Sequence, residues 1–329
     1  MSPPAVVLFA YQQSPYAAKL ELCLLLKGIN YSYCTVGRMP PRPALQALGV
    51  TYRRIPVLAI GNDIIFDTAL AIVALEEAFP ESKSLAGRNW ALQQASSFFW
   101  LDRTVFQTVA GMLPWDALPE EFVKDRSSYR GGDPIDPAKM IAARPQLLSA
   151  IRQHMDLIES QLASRAEPTN FFLDTPSITY LDISLYHKLN WLSSMGTADS
   201  IFKPTTAPSF PLTFSWMDLI RVAISEAIRS HPTQGIPSQI SDQEAASLIY
   251  SSAPNGSPKV DSEEPLLVAG WLKLGDEVEV TPTDTGKVPQ KGKLVGLDRQ
   301  RVVIEVVGEE GKAARVHAPR LGFSVQKVK

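Results

Sequence analysis

The fold is decided by residues 5–36, AVVLFAYQQSPYAAKLELCLLLKGINYSYCTV. They begin with an unbroken apolar run, Ala5–Ala10, which has the length of a buried strand. Ser14-Pro15 forms a helix start, because serine is a good N-cap and proline is favoured at the first helical position. Gly28 ends that helix, and the aromatic and β-branched residues 31–36 predict a second strand. Since a helix connects the two strands, we expect them to be parallel.

A hairpin and a second helix complete this first unit. Two short apolar stretches flank Gly61-Asn62, which is a two-residue hairpin signal. A helix is predicted over residues 68–79, and Pro80 ends it. The order β-α-β-β-α predicts an α/β domain that spans residues 1–82.

The section that follows has helical periodicity. Apolar residues recur at helical spacing in three segments: 89–113, 145–164 and 216–229. Thr179–Asp182 is a helix-capping sequence, whereas prolines, glycines and acidic residues between 114 and 137 predict a polar loop. We expect an all-α domain over residues 83–235 and then a linker, 236–265, with one short helix.

Residues 266–329 alternate apolar and polar side chains in twos, with glycines between the alternating stretches. This pattern predicts a small all-β extension of short strands. The number of strands and the length favour an SH3-like barrel.

Composition excludes several classes of protein. The 329 residues carry 32 lysines and arginines against 34 aspartates and glutamates, whereas a nucleic-acid binder is expected to be strongly basic. Every apolar run is far shorter than the about 20 residues of a membrane span. The two cysteines and four histidines have no metal-ligand spacing. We therefore expect a cytoplasmic protein that holds no metal and contacts neither nucleic acid nor membrane.

Three points of the first unit are expected to meet at one edge of the sheet. Ser14 follows the first strand, Ile55-Pro56 opens the third strand and Asp67-Thr68 starts the last helix. Helix N-termini favour thiolates and carboxylates, and a serine hydroxyl there can donate to a thiolate. The residue before a cis proline can pair with an extended ligand, and Asp67 can bind an ammonium. The set predicts a site for a small anionic peptide with a thiol.

These motifs resemble the N-terminal thioredoxin-like domain of glutathione S-transferases. The resemblance rests on Ser14-Pro15-Tyr16, on Arg54-Ile55-Pro56-Val57-Leu58 and on Asp67-Thr68-Ala69-Leu70-Ala71-Ile72. The downstream segment Pro176–Ser184 resembles the helix-capping segment of the all-α domain in the same family. The likeness covers about residues 5–230 and does not explain the β extension.

The resemblance implies glutathione as co-substrate and a role for each residue of the site. Ser14 would activate the sulfur, and Ile55, before Pro56, would pair through its backbone with the cysteinyl part. Asp67 and Thr68 match the pair that binds the γ-glutamyl group. Arg54 would lie near the glycyl carboxylate.

The activity that the resemblance implies is transfer of glutathione to an electrophilic, apolar small molecule. The β extension makes the chain most similar to fungal members, so detoxification or fungal secondary metabolism is the expected setting, and a homodimer is usual in the family. Two alternatives stay open. One is glutathione-dependent double-bond isomerisation, and the other is a non-catalytic binding or scaffold protein of the same fold.

Simpler interpretations of the single residues also stay open. Ser14, Asp67 and Thr68 can be helix caps only, and Tyr11 is a rival activator of the sulfur. Arg54 and its neighbour Arg53 can be a solvated surface pair. Four aromatic side chains are interpreted either as an acceptor pocket or as ordinary core: Phe98, Phe99, Trp100 and Phe106.

Overall fold

The computed structural model describes residues 3–205, 208–309 and 311–328. The N-terminal unit consists of β1 (Val6–Ala10), α1 (Pro15–Lys27), β2 (Tyr31–Thr35), α2 (Pro43–Ala47), β3 (Val57–Ile60), β4 (Asp63–Ile65) and α3 (Thr68–Ala78). As predicted, β1 pairs in parallel with β2, and β3 and β4 form a hairpin. The short helix α2 is an addition to the predicted order.

The helical section follows. Its elements are α4 (Trp90–Ala95), a π-helical stretch (Ser96–Val105), α5 (Phe106–Gly111), α6 (Glu120–Arg130), α7 (Pro137–Ala142), α8 (Arg144–Ala163), α9 (Tyr180–Ser194), α10 (Asp199–Phe202) and α11 (Pro211–Ser230). The predicted capping box before α9 is confirmed, since the Thr179 N–H donates to Asp182 Oδ2 at 2.9 Å. No helix within the described residues is long and apolar enough to cross a membrane.

The loop predicted between residues 114 and 137 is wrong, because α6 lies within it. Two glutamates occupy the first turn of α6 and an arginine its last turn, which favours a helix through its dipole. Val123 is the buried apolar side chain of α6, and it clusters with Trp115 and Ile135. Because the buried apolar face of α6 is so narrow, the sequence of this segment does not show helical periodicity.

The remaining elements are β5 (Pro237–Ile240), α12 (Asp242–Ser251), α13 (Pro265–Val268), β6 (Glu277–Pro282), β7 (Gln290–Leu297), β8 (Arg301–Val307), β9 (Ala313–Pro319) and β10 (Phe323–Lys327). Residues 236–265, expected as a linker with one short helix, hold that helix, α12, with its capping box at Ser241. They also hold β5, which pairs in parallel with β2. This segment is thus part of the packed structure.

Within the described part of the chain, the ten strands form one sheet, in the order β10-β6-β7-β8-β9-β4-β3-β1-β2-β5. The β extension, expected as a barrel of its own, joins the N-terminal unit where β9 pairs in parallel with β4. In this register Asp63 lies opposite Arg315, and Ile65 lies opposite His317. Backbone hydrogen bonds therefore run from the extension into the first unit.

Two hydrophobic cores lie on the two faces of β1, because successive side chains of a strand point to opposite faces. Leu8 packs with α1, α3 and the helical section, whereas Phe9 packs with α2, α12 and the β extension. The N-terminal unit is thus covered by helices on one face and by the extension on the other.

Candidate functional site

Ser14 is the N-cap of α1. Its hydroxyl accepts a hydrogen bond from the Ala17 N–H at 3.2 Å, and its side chain is almost fully buried. Since a hydroxyl both accepts and donates, its own proton can still be directed at a ligand. The structure thus places Ser14 as the sequence predicts, with a cap role that leaves a donor for chemistry.

Asp67 and Thr68 form the N-terminus of α3. Asp67 has a positive φ of 70°, and its Oδ1 accepts from the Ala69 N–H at 2.9 Å. Burial raises the pKa of the Asp67 carboxyl. Thr68 is also buried, at 6% exposure. These two residues begin a helix whose free N–H groups suit a carboxylate.

Ile55 and Pro56 immediately precede β3, and the peptide bond between them is cis. Ile55 is half-buried and packs against both hydrophobic cores, while Pro56 is fully buried. This geometry agrees with the expectation from the sequence that a proline shapes the chain before β3.

Arg54 reaches toward Asp67, with its Nη1 at 4.0 Å from Asp67 Oδ2. Its Nη2 donates to the carboxylate of Asp284 and, at 2.7 Å, to the carbonyl oxygen of Thr285. Burial opposes ionisation of Asp284, but the Arg54 guanidinium holds the pKa of that carboxyl below its usual range. Arg54 is therefore an ion-paired, half-buried residue and not part of a solvated surface pair. No local sequence pattern predicts this contact, because the partner residues lie 230 and 231 positions away from Arg54.

Helix α6, which the sequence does not predict, lies beside Arg53 and Arg54. Arg53 donates to Asp125 Oδ1 at 2.6 Å, and Arg126 donates to the Tyr11 hydroxyl at 3.4 Å. The Tyr129 carbonyl oxygen accepts from the Gly286 N–H at 2.8 Å. The β6–β7 loop, residues 283–289, and α6 thus meet beside Arg53 and Arg54. Tyr11, the rival activator, has its hydroxyl bound to a cation from α6.

A cavity of about 350 Å³ opens between α1 and α9, and Ser14 lines it. Its lining combines two large apolar side chains, Leu22 and Trp191, with the polar side chains of Gln12, Gln13, His187, Asn190 and Ser194. A cleft of this size with a few polar groups suits a small molecule.

The four aromatic residues that the sequence assigns either to an acceptor pocket or to the core have different surroundings in the structure. Phe106 stacks on Trp191, with ring centroids 5.7 Å apart, so it supports the cavity wall. Phe98 contacts Arg103, Phe99 is 57% exposed and Trp100 donates to His154. Of these four, Phe106 is thus the residue whose ring stacks on Trp191 of the cavity lining.

A buried charge cluster lies beneath α1. Asp102 accepts from Lys188 at 2.6 Å and from Lys19 at 3.3 Å, and both lysines are fully buried. Burial lowers the pKa of Lys188 to about 8, against the opposing effect of Asp102. Burial and the two lysines lower the pKa of His187 well below its usual range, so its imidazole is neutral. The sequence does not predict this cluster, because its members come from three separate helical segments.

The cysteines are not part of this site. Cys23 and Cys34 are free and buried, and burial raises the pKa of each thiol to about 12. Neither is a thiolate at neutral pH. Among the residues that the structure describes, no group of three or more histidines, cysteines or acidic residues is placed to hold a metal ion.

Comparison with protein families gives two matches. Residues 8–83 match the family model described as glutathione S-transferase, N-terminal domain. Residues 109–229 match a domain of unknown function, DUF7962. The first match confirms the family resemblance of the N-terminal unit, and the second adds no activity.

Two solved structures and one curated relative are similar to the chain. A GST-like protein from Pseudomonas syringae superposes with a TM-score of 0.69 at 25% identity, over 99% of this chain and 100% of that one. A glutathione S-transferase from Rhodospirillum rubrum F11 has a TM-score of 0.51 at 20% identity, over 68% of this chain and 91% of that one. Glutathione S-transferase U1 of Arabidopsis thaliana is 25% identical over 96 residues, which are 29% of this chain and 42% of the relative. The chain thus matches less than half the length of this curated relative.

These comparisons confirm the predicted fold class. The thioredoxin-like N-terminal domain is followed by a helical domain, and a sheet-rich extension comes last. The match to the bacterial protein covers 99% of this chain and therefore spans the extension as well.

Proposed function

Because the chain has the glutathione S-transferase fold and its residues 8–83 belong to that family, we propose that it is a glutathione-dependent transferase. The observation that carries the proposal is the position of Ser14, which caps α1 and lines a cavity of about 350 Å³. A hydroxyl donor, a helix N-terminus and space for a second molecule are combined there. These are the three features that activation of a thiol for attack requires.

Ser14 is proposed to stabilise the thiolate of glutathione. Its hydroxyl would donate to the sulfur, while the free N–H groups at the N-terminus of α1 favour negative charge. Both effects lower the pKa of a bound thiol from its usual value of about 8.5, and the thiolate is the nucleophile.

The peptide would lie between α3 and β3. Asp67 would bind the ammonium of the γ-glutamyl group, and Thr68 with the N-terminus of α3 would bind its α-carboxylate. Ile55, held by the cis bond to Pro56, would pair through its backbone with the cysteinyl part. Arg54 completes the proposed set at 4.0 Å from Asp67.

The acceptor is proposed to be a small, apolar electrophile. Trp191 and Leu22 offer apolar surface in the cavity, and the thiolate would attack from the Ser14 side. Glutathione-dependent isomerisation uses the same residues, since the thiol adds and leaves again. Detoxification, a fungal biosynthetic step, a cytoplasmic location and a homodimer remain predictions for this protein.

The decisive test measures conjugation of glutathione to an aryl halide by the wild type and by Ser14→Ala. We expect the variant to lose about 100-fold in rate, as when one donor to a developing anion is removed. Ser241→Ala is the matched control, because Ser241 also caps a helix, α12, but does not line the cavity. It should lose about 1 kcal/mol of stability, as Ser14→Ala does, and keep its rate.

Each alternative function has its own outcome in this assay. Conversion of an unsaturated substrate without net loss of glutathione would favour the isomerase. Full activity of Ser14→Ala would contradict the role of Ser14. No reaction with any electrophile, together with no binding of glutathione in calorimetry, would leave the non-catalytic scaffold as the function.

A further inference from the structure

Helix α6 (Glu120–Arg130) is held in its place by few apolar contacts. Val123 is its buried residue, and it packs in a small cluster with Trp115 and Ile135. That cluster is separate from the two hydrophobic cores on the faces of β1. Because local opening is easiest where few apolar side chains are buried, α6 can leave its place without unfolding of the domain.

The polar contacts of α6 reach two points of the proposed peptide site. Arg53, two residues before Ile55, donates to Asp125 Oδ1 at 2.6 Å and to the Asp125 carbonyl oxygen at 3.0 Å. Arg126, the next residue of α6, donates to the hydroxyl of Tyr11 at 3.4 Å. Tyr11 lies three residues before Ser14. One turn of α6 therefore connects the chain before Ile55 with the chain before Ser14.

The next turn of α6 lies beside Arg53 and the β6–β7 loop. The ring of Tyr129 lies 5.5 Å from the Arg53 guanidinium carbon, and the Tyr129 carbonyl oxygen accepts from the Gly286 N–H at 2.8 Å. The residue before Gly286 is Thr285, whose carbonyl oxygen accepts from Arg54 at 2.7 Å. The helix thus borders the proposed peptide site from the Tyr11 side to the Arg54 side.

Both ends of α6 have the features of a hinge. Pro119 is its N-cap residue, and Gly131-Gly132 follows its last turn with φ values of 69° and 78°. Among the described residues, no atom would lie within 4 Å of a Cβ on either glycine. Since glycine accepts these φ values at little cost and space is open around both, the chain can change direction there without a clash. Hinges are a few such positions at the end of an element.

We propose that α6 is a lid beside the peptide site, that this structure holds it closed, and that glutathione enters and leaves when it opens. The hinges are Pro119 and Gly131-Gly132, and the latch is the ion pair between Arg53 and Asp125. The lid rests on the proposed function, since it concerns access to the same site. The movement of α6 itself does not depend on that function.

Hydrogen exchange of the full chain measures this movement without any ligand. We expect the amides of residues 120–130 to exchange through local opening, and faster than those of α9, most of whose residues are buried. Asp125→Asn removes the charge of the latch. It should speed exchange in α6 about tenfold and leave α9 unchanged, as for the loss of one charged hydrogen bond.

Asp116→Asn is the matched control. Asp116 lies four residues before α6 and pairs with Arg144 at 3.4 Å, so this variant also loses one carboxylate charge and one ion pair with an arginine. The contact between Arg53 and Asp125 stays intact in it. We therefore expect Asp116→Asn to behave as the wild type in exchange and in binding.

Stopped-flow binding measures access to the site. The probe is S-(4-nitrobenzyl)glutathione, whose blocked sulfur cannot react and whose nitroaromatic group quenches tryptophan fluorescence. We expect Asp125→Asn to bind and to release the probe about tenfold faster than the wild type, with little change in Kd. The latch forms in the free and in the bound protein, so its loss lowers the barrier in both directions.

The remaining outcomes separate the two proposals. Exchange in α6 that is as slow as in α9, or that Asp125→Asn does not change, would overturn the lid and leave the transferase function in place. Faster exchange with unchanged binding rates would show that α6 moves but does not control access, which also overturns the lid. Absence of probe binding in all three proteins would overturn the transferase function and the lid together, whatever the exchange shows.

Discussion

The N-terminal unit is held differently by its two neighbours. Toward the helical domain, Asp102 lies between Lys19 and Lys188, so one half-buried carboxylate pairs with two buried cations. Toward the β extension, Asp63 accepts from Arg315 through both carboxylate oxygens, and the strands that carry them are paired. The second boundary includes backbone-to-backbone hydrogen bonds between paired strands, whereas at the first boundary side chains pair with side chains or with backbone oxygens, as the Tyr16 hydroxyl does with the Asp102 carbonyl oxygen at 3.3 Å.

This difference explains how the extension can contribute to the site. Because β9 continues the sheet beyond β4, the β6–β7 loop lies beside Arg54 and accepts a hydrogen bond from it at the Thr285 carbonyl oxygen. The helical domain, in contrast, supplies the cavity wall through Trp191. One neighbour therefore supplies an ion-pair partner for Arg54, and the other lines the cavity next to Ser14.

The largest expected effect is that of Asp102→Asn. This variant leaves two fully buried lysines without a counter-charge, which should cost about 3–5 kcal/mol of unfolding free energy. Urea unfolding followed by circular dichroism measures it. Asp199→Asn is the control, because Asp199 pairs with Lys203 in an exposed i,i+4 bridge that contributes at most about 0.5 kcal/mol. A loss below 1 kcal/mol in Asp102→Asn would contradict the role given to the cluster.

Asp63→Asn tests the boundary with the β extension. It should lower the free energy of unfolding by about 2–3 kcal/mol, since charged hydrogen bonds to Arg315 and His317 are weakened. Because the two units share a sheet, we expect a single unfolding transition, detected together by circular dichroism and tryptophan fluorescence. Two separate transitions, with the extension unfolding first, would show that the shared sheet does not make the two units unfold together.

The sequence predicts the parts of this molecule that depend on neighbours in the chain. The cap at Ser14, the hairpin at Gly61-Asn62 and the capping box before α9 follow from local turn and helix chemistry. Helix α6 was missed because only Val123 of its apolar side chains is buried. The strand β5 was missed because it is short, polar and exposed, and only its partner β2 makes it a strand.

The residues of the candidate site also fall into two groups, those placed by neighbours in the sequence and those placed by distant residues. Its helix N-termini at Ser14 and Asp67 are local features, and the sequence predicts both. The pairing of Arg54 with Asp284 depends on the β9–β4 junction, which no local pattern encodes. The same holds for Lys188 and Asp102, which lie 86 residues apart. The positions of these helix N-termini can thus be predicted from the sequence, whereas the ion pairs around the site cannot.

Lys188→Met tests the excess positive charge at the first boundary. Burial puts the pKa of Lys188 at about 8 in the folded protein, below its ordinary value near 10.5, so the folded state binds fewer protons between these values. Stability of the wild type should therefore rise with pH through that window, by about 2 kcal/mol relative to the variant between pH 7 and 10. The other charged or titratable groups that face Lys188 are Asp102, Lys19, His187 and Tyr16, and all four are present in both proteins.

Urea unfolding of both proteins at pH 7, 8.5 and 10 gives the measurement. At pH 7 the variant should be at least as stable as the wild type, because it no longer buries a second cation beside Lys19 and Asp102 still has one partner. A difference between the two proteins that does not change with pH would show that Lys188 is not titrating in this window.

The smallest effect concerns the contact that holds the β6–β7 loop. Gly286 has a φ of 58°, and an added Cβ would lie 2.6 Å from the Tyr129 ring of α6. Gly270→Ala is a matched control, since Gly270 has a φ of 72° and a Cβ there would meet no atom within 4 Å. Both variants bear the cost of a left-handed alanine, about 1 kcal/mol, so the difference between them isolates the contact.

We expect Gly286→Ala to lose about 1 kcal/mol more than Gly270→Ala in thermal or urea unfolding, as for a modest overpacking. The ring of Tyr129 is half-buried and can yield in part, which keeps the effect small. Equal stability of the two variants would mean that the contact with Tyr129 of α6 does not hold the loop.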